Sequence, residues 1–360
     1  MEVSVNKTRS LSKKKGFLFW VIALTILLAG TVVGAIAIGS TYIEPGEVYK
    51  VLLNKLTNGA LFSGVGEVMT QNIIWEIRFP RVLLGAICGA GLAICGVLMQ
   101  CVTKNPIAEP YILGISSGAS CGAVATIVLG GVASLGINSI TTGAFVGSMV
   151  SGVLVFAIGT QMGKTTSTTR LVLTGMAIST IFSALTNLLI YSAKNSNQAK
   201  NALFWTIGSL GGAKWDVLLI PFIVLILVII VSFVMSKSLD ILLLGDDSAI
   251  ILGINVKLIK SIILILSTLL TATLVAITGA IGFIGLVVPH ICRTIAGSDH
   301  KKLIVLSSLI GAIFLILSDV LARGLFPPIE IPIGIITALA GGPFFLYLIS
   351  KKNYSFGGRD

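Results

Sequence analysis

The segment GTQMGKT, from Gly159 to Thr165, comes closest in this sequence to a phosphate-binding loop. A P-loop needs four residues between its glycines before the Lys-Ser/Thr pair, and this segment has three. A P-loop also joins a strand to a helix, whereas this segment follows a long apolar run that is typical of a helix. We therefore exclude ATP binding by this chain, so any ATP that drives it must be hydrolysed by another subunit.

Histidines are the next candidates for chemistry, and the sequence has two, His290 and His300. They stand ten residues apart with a polar turn between them, and no HExxH motif is present, so the sequence does not predict a zinc site. No arrangement of acid, histidine and nucleophile suggests a serine-type triad. His290 has no second metal ligand in view. A structural role is therefore favoured over metal binding, and no cofactor is expected.

Charged side chains stand at the ends of the apolar runs. Ion-coupled transporters tend to keep ionisable residues in the middle of their spans, and the centres of the runs here are nearly free of charge. Arg78 and Arg81 flank Pro80 where one run begins, and Arg323 ends another, four residues after Asp319, with which it can pair along one helix face. Two interpretations of these arginines stay open: anchoring to lipid headgroups, or docking of an acidic partner outside the cell.

Membrane-spanning helices must position all these residues. The chain has 360 residues, of which 55% are hydrophobic and 11% charged, and its mean hydropathy is +1.02, whereas a soluble domain has about 25% charged residues. A span needs roughly 20 apolar residues, and unbroken runs of helix length argue against a β-barrel. We predict an all-α polytopic membrane protein with ten spans at residues 17–39, 81–102, 111–131, 142–162, 170–192, 215–236, 258–280, 282–297, 303–323 and 332–350.

Lysine and arginine in the short loops predict the orientation of the chain. Alternating the spans places most of them on the side of the N-terminal segment, which we predict to be the cytoplasm, with both termini there. The net charge of +11 then reflects topology, and nothing indicates nucleic-acid binding. The first apolar run follows three lysines, as in a signal peptide, but it is long and lacks an obvious cleavage site, so we predict a retained helix.

Residues 16–350 are predicted to form one ten-helix membrane domain between two cytoplasmic tails, residues 1–15 and 351–360. Its outer segment, 41–80, contains a predicted amphipathic interfacial helix at Glu44–Leu56. The inner loop, 237–257, has two short apolar patches and suits short surface helices.

Small residues predict where helices pack closely. Gly85, Gly89, Ala93 and Gly96 share one helical face. In GAIGFIGLVVPHICR, residues 279–293, three glycines (Gly279, Gly282 and Gly285) fit a tight reversal and close packing.

Seven stretches in this order resemble one family. They are IRFPRVLLGAICGAGLAICGVLMQ (77–100), KNPIAEPYILGISSGA (104–119), LLLGDDSAIILGI (242–254), GAIGFIGLVVPHICR (279–293), GSDHKK (297–302), DVLAR (319–323) and EIPIGIITALAGGPFF (330–345). They are similar to the permeases of ATP-binding-cassette importers for iron-siderophore complexes, haem and vitamin B12, over about residues 16–350.

The resemblance implies a type II ABC importer permease fold of ten helices, in a homodimer or a heterodimer with a like permease, in the lipid bilayer of a prokaryotic cytoplasmic membrane. The implied partners are two cytoplasmic ATPase subunits and an extracytoplasmic substrate-binding protein. The chain would be a non-catalytic permease that moves a ferric siderophore, haem or cobalamin by alternating access. Ferric siderophore leads because it is the commonest substrate.

The resemblance also implies roles for residues that match the family motifs. The arginines that meet glutamates of the binding protein in relatives correspond to Arg78, Arg81 and Arg323. The coupling helices that sit in a groove of the ATPase correspond to Leu244, Gly245, Asp246, Ala249, Leu252 and Gly253, where Gly253 would permit a tight turn. The cytoplasmic gate corresponds to Asn105, Pro106, Ile107, Thr168 and Thr169.

Two alternatives belong to other classes of protein. An ion-coupled secondary transporter would keep transporting when an ATPase partner is inactivated. A membrane-embedded enzyme, such as an intramembrane protease, would need a catalytic dyad in facing spans, and the sequence suggests no candidate for one.

Overall fold

The computed structural model describes residues 2–39, 41–60, 67–130, 139–160 and 168–350, and for residues 2–15, 160 and 168 it describes the backbone alone. Most of the GTQMGKT segment and the predicted tail 351–360 lie outside the described residues.

Every regular element in these ranges is helical, apart from an isolated bridge between Phe326 and Ile329, which confirms the predicted all-α class. A π-helical turn spans Ile73–Arg78 and a 3-10 turn spans Pro110–Leu113. The α-helices are α1 (Glu2–Ala37), α2 (Pro45–Leu56), α3 (Val68–Asn72), α4 (Phe79–Thr103), α5 (Ile115–Leu129), α6 (Ser139–Thr160), α7 (Thr168–Tyr191), α8 (Ser196–Ile207), α9 (Trp215–Val234), α10 (Ser236–Leu242), α11 (Asp246–Ile251), α12 (Val256–Thr278), α13 (Ile284–Ala296), α14 (His300–Gly324) and α15 (Ile333–Ser350).

Eight helical segments are long and apolar enough to cross a membrane, and α5 and α13 are shorter apolar helices. Together they match the ten predicted spans in order. The second span is longer than the predicted 81–102, because α3, the π-helical turn and α4 run without a break from Val68 to Thr103. Arg78 and Arg81 therefore lie inside this helical segment. The sequence also did not predict α8, whose polar residues resemble those of a loop.

The helix α4 lies at the centre of the bundle. In its segment 89% of the most apolar stretch is buried, against 11% in α1. Gly89 of α4 faces Gly311 of α14, and Gly96 faces Gly285 of α13, so closely that a methyl group on any of them would overlap the opposing backbone. Close backbone approach gives helices in lipid their van der Waals contact, so the predicted glycine face packs against two helices at once.

A non-helical stretch, residues 279–283, separates α12 from α13. Gly279 has a φ of +69°, which favours glycine, and the carbonyl oxygen of Trp205 leaves no room for a side chain there. Gly282 has open space around it. Of the three glycines predicted to permit a tight reversal and close packing, Gly279 and Gly285 are thus required by geometry, whereas Gly282 is not.

Two side chains from the 104–114 segment hold this stretch. The hydroxyl of Tyr111 donates to the carbonyl oxygen of Ile281 at 2.8 Å and accepts from the Ile281 N–H at 3.1 Å. The Glu109 carboxylate accepts from the N–H of Phe283 at 3.3 Å, just before α13 begins. These bonds satisfy backbone groups that an interrupted helix would leave unpaired in the membrane.

The bundle has two ends, each named after a short helix. At the α2 end, α2 packs against α1 and the π-helical turn, and α1 packs against α14. At the α11 end, α11 packs against α10 and α12, and α10 also contacts α4 and α14. The helix α2 forms where an amphipathic helix was predicted, and α10 and α11 form where short surface helices were predicted.

Candidate functional sites at the two ends of the bundle

Arg78 is buried at the α2 end, against the C-terminus of α1. Its Nη1 donates to the carbonyl oxygens of Ile36 at 2.6 Å and Ala37 at 3.1 Å, and its Nη2 donates to the carbonyl oxygen and Oγ1 of Thr41 at 2.6 and 3.1 Å. The guanidinium passes so close to Gly39 that a side chain there would collide with it. The last carbonyls of a helix lack partners within the helix and carry partial negative charge, so Arg78 acts as a cap for α1.

Arg323 completes this cap from α14. Its Nη2 donates to the carbonyl oxygen of Ala35 and its Nη1 to that of Ile38, both at 3.1 Å. Its Nε lies 2.9 Å from Asp319 Oδ2, which confirms the pair predicted along one helix face. The buried carboxylate of Asp319 thus fixes the arginine that holds the end of α1.

Arg81 connects this cluster to the surface. Its Nη2 lies 3.0 Å from Asp319 Oδ1, and its Nη1 lies 2.9 Å from Glu330 Oε2. The Arg81 side chain is 11% exposed and that of Glu330 is 51% exposed. The three predicted docking arginines are therefore brought together, but each already has acceptors within the chain. Sequence reasoning missed Glu330, although it begins the EIPIG stretch that carried part of the resemblance.

The α11 end presents apolar side chains outside the spans. In α11 and the residues beside it, Leu244, Ile250, Ile251 and Leu252 are all exposed, and Ile251 is 85% exposed. Ala249 is buried and anchors the helix. Gly245 and Gly253 flank the helix with φ values of +117° and +80°, so the turn predicted at Gly253 is present. The predicted coupling residues thus form a short, rigidly bounded projection.

Asp246 faces the bundle and not the solvent side of α11. Its Oδ2 lies 2.6 Å from Lys260 Nζ on α12, and its Oδ1 lies 2.9 Å from Lys104 Nζ at the end of α4. Burial would raise the pKa of Asp246, but its hydrogen bonds with Lys260 and Lys104 outweigh burial and hold this pKa below its usual value. The sequence gave no signal for this pairing, because the three residues lie far apart in the chain.

The predicted gate residues lie at the same end. Asn105 Oδ1 accepts from the N–H of Ile107 at 3.1 Å, which forms an Asx turn directly after α4. Thr169 is exposed in the first turn of α7, and the side chain of Thr168 lies outside the described residues. Further along, the 3-10 turn packs on α7, where the Ile112 carbonyl oxygen leaves no room for a side chain at Gly175.

The two histidines occupy different surroundings. The ring of His290 packs edge-to-face against Phe344, with 6.0 Å between ring centroids. His300 is buried, its Nδ1 lies 2.6 Å from Asp240 Oδ1, and its backbone N–H donates to the same oxygen at 3.0 Å. Among the described residues, no three His, Cys, Asp or Glu side chains cluster closely enough to hold a metal ion.

Arg293, which also stood out in the sequence, turns towards the core. Its Nη1 contacts Gln100 Oε1, and Gln100 Nε2 donates to the carbonyl oxygen of Gly285 at 3.2 Å. The contacts of Arg293 and His290 therefore tie α13 to α4 and α15.

Comparisons with known proteins agree with this architecture. Residues 24–351 match the model of the FecCD transport family. The chain is 37% identical to the hemin transport system permease protein of Yersinia pestis, over 91% of this chain and 94% of that protein. It is 39% identical to the Fe(3+) dicitrate transport system permease protein of Escherichia coli, over 78% and 85% of the two chains.

A solved structure shares the fold over almost the whole chain. It is a metal-chelate type ABC transporter in an inward-facing conformation, with a TM-score of 0.79, 31% sequence identity, and coverage of 92% of this chain and 98% of that one. The chain therefore belongs to the FecCD transport family and has the fold of an ABC transporter permease.

Proposed function

We propose that this chain is the permease subunit of an ATP-driven importer that moves a ferric siderophore or a related metal chelate, such as haem or cobalamin, across the cytoplasmic membrane. The observation that carries this proposal is the apolar surface on α11. Leu244, Ile250, Ile251 and Leu252 project beyond the ends of the spans, where neither lipid tails nor the rest of the described chain cover them. An exposed apolar patch outside the membrane indicates a protein partner.

The partner at α11 is proposed to be the ATPase. The projection is short and bounded by two glycine turns, so it can move as a unit when a protein groove closes around it. Since the chain lacks a P-loop, the energy must come from such a partner. This assignment makes the α11 end cytoplasmic, which places both termini in the cytoplasm, as the lysine and arginine distribution predicts.

The α2 end then faces outward and is proposed to receive the substrate-binding protein. Arg78, Arg81 and Arg323 outnumber Asp319 and Glu330 there, so the cluster keeps one positive charge in excess that favours an acidic partner. Because Arg78 and Arg323 are buried against α1, Arg81 is the arginine that an incoming carboxylate reaches first. It would do so by exchanging with the exposed Glu330.

Transport is proposed to follow alternating access in a dimer of permeases. Asn105, Pro106, Ile107, Thr168 and Thr169 would form the cytoplasmic gate. The chain itself would bind no cofactor and catalyse no reaction. The relatives transport chemically different chelates at similar identity, so ferric siderophore stands as the first substrate to test.

The test is uptake into proteoliposomes that contain this permease, its ATPase and its binding protein. Binding assays on the binding protein with a ferric hydroxamate, ferric citrate, haemin and cobalamin select the substrate. We expect uptake only with ATP, and none when the catalytic glutamate of the ATPase is replaced by glutamine. Uptake that persists without ATP hydrolysis would refute the proposal and favour the ion-coupled alternative.

A further inference from the structure

Asp246 joins three elements at the α11 end. It is the first residue of α11, and its two carboxylate oxygens contact Lys260 of α12 at 2.6 Å and Lys104 at 2.9 Å. Lys104 is the residue that ends α4 and directly precedes Asn105. A displacement of α11 is therefore transmitted through one carboxylate to the central helix and to the first residue of the proposed gate.

The backbone at Lys104 is unusual for a lysine. Its φ of 50° and ψ of 32° place it in the left-handed region, which usually favours glycine or asparagine at the end of a helix. Glycine would adopt this conformation without strain, but it would lack the ammonium group that contacts Asp246. The residue at this position thus gives up backbone comfort and gains an ionic contact with α11.

Lys260 makes the contact asymmetric. Its side chain is 3% exposed, whereas that of Lys104 is 33% exposed. A buried ammonium is costly unless it is paired, so Lys260 holds Asp246 firmly to α12. The partly exposed Lys104 contact is the weaker of the two and is screened by solvent. Movement of α11 with α12 would therefore strain or break the Lys104 contact first.

We propose that Lys104, Asp246 and Lys260 form an ionic latch that transmits movement of the coupling helices to the gate after α4. This inference rests on the proposed function, since it requires that an ATPase moves α11. It assigns a transmission role to Asp246, which the family resemblance had placed among the ATPase contacts, and it adds the two lysines as positioning residues. The latch sets when the gate opens, while the apolar residues of α11 bind the ATPase.

The test follows the gate directly, without a transported substrate. A cysteine is introduced at the exposed gate position, as Ile107→Cys, in a background in which the half-buried Cys121 is replaced by alanine. The permease is reconstituted with its ATPase, and the rate of maleimide labelling is compared without nucleotide and with ATP plus vanadate. ATP hydrolysis and thermal stability are measured on the same samples. We expect nucleotide to change the labelling rate in this reference protein.

Lys104→Gly separates transmission from folding. It relieves the left-handed backbone, so the thermal midpoint should stay the same or rise. The nucleotide-dependent change in labelling should nevertheless disappear, while ATP hydrolysis continues. Lys104→Met, which keeps the bulk of the side chain, should uncouple in the same way, and Asp246→Asn should do so from the other side of the contact.

The matched control is Lys302→Met. Lys302 pairs with Asp299 at 3.3 Å, and its side chain is 31% exposed, close to that of Lys104, but this pair lies within one turn of α14 and joins no separate elements. It should behave like the reference protein. Nucleotide-dependent labelling that survives in Lys104→Gly and Asp246→Asn would overturn the latch. No nucleotide effect and no ATPase association in the reference protein would overturn the proposed function, and the latch with it.

Discussion

Replacing Arg78 with methionine is expected to lower the free energy of unfolding of this protein by about 2–4 kcal/mol. The guanidinium makes four hydrogen bonds, to Ile36, Ala37 and Thr41. At a net contribution of roughly 0.5–1.5 kcal/mol each, they sum to about 2–6 kcal/mol. The lower part of this range applies because the end of α1 lies near the membrane surface, where water replaces some of the lost donors.

The assay is unfolding of the purified permease in mixed micelles with increasing SDS, followed by circular dichroism. Lys50→Met is the matched control, because it removes one positive charge from an exposed position on α2 at the same end. Arg78→Lys should recover only part of the loss, since a single ammonium cannot replace a planar guanidinium that donates from two nitrogens. Association with the binding protein is measured on the same variants.

The comparison decides between two roles for this arginine. If Arg78 caps α1, Arg78→Met is less stable than Lys50→Met, and any loss of association accompanies the loss of stability. If Arg78→Met unfolds at the same SDS fraction as Lys50→Met and yet loses association with the binding protein, our explanation of the cap is wrong. The side chain would then act mainly at the docking surface.

Three further predictions test other parts of the structure. Gly89→Leu should reduce the amount of folded permease in the membrane, because it pushes α4 off Gly311, whereas Gly282→Ala, with open space around it, should not; immunoblots of detergent extracts measure this. The stability advantage of wild type over Asp246→Asn should persist at neutral pH and vanish as pH falls below about 4, because the lowered pKa of Asp246 contributes only while the carboxylate is ionised. Ile251→Glu should weaken ATPase pull-down without changing permease stability, and equal pull-down would count against α11 as the ATPase contact.

Hydropathy alone located nearly all of the membrane helices. Desolvating backbone groups in lipid is so costly that apolar runs must be helical, and this rule holds for each span whatever surrounds it. The glycine face of α4 was also visible, because residues three and four apart share a helix face. The boundaries failed where a charged or proline-containing segment continued the helix, as before Pro80, and where polar residues formed α8.

The sequence by itself determined the membrane class, the order of the spans and the family, because each depends on residue types within one continuous segment. It also marked Arg78, Arg81 and Arg323 as unusual and paired Arg323 with Asp319, which lies one helical turn away. Only the tertiary structure decided what the other partners are: the C-terminal carbonyls of α1 for Arg78 and Arg323, and Glu330 for Arg81. The physical reason is that a charge in a membrane bundle takes the acceptor that folding brings to it, and that acceptor comes from elements far away in the chain. The same holds for Asp246, whose two lysines meet it only when α4, α11 and α12 pack together.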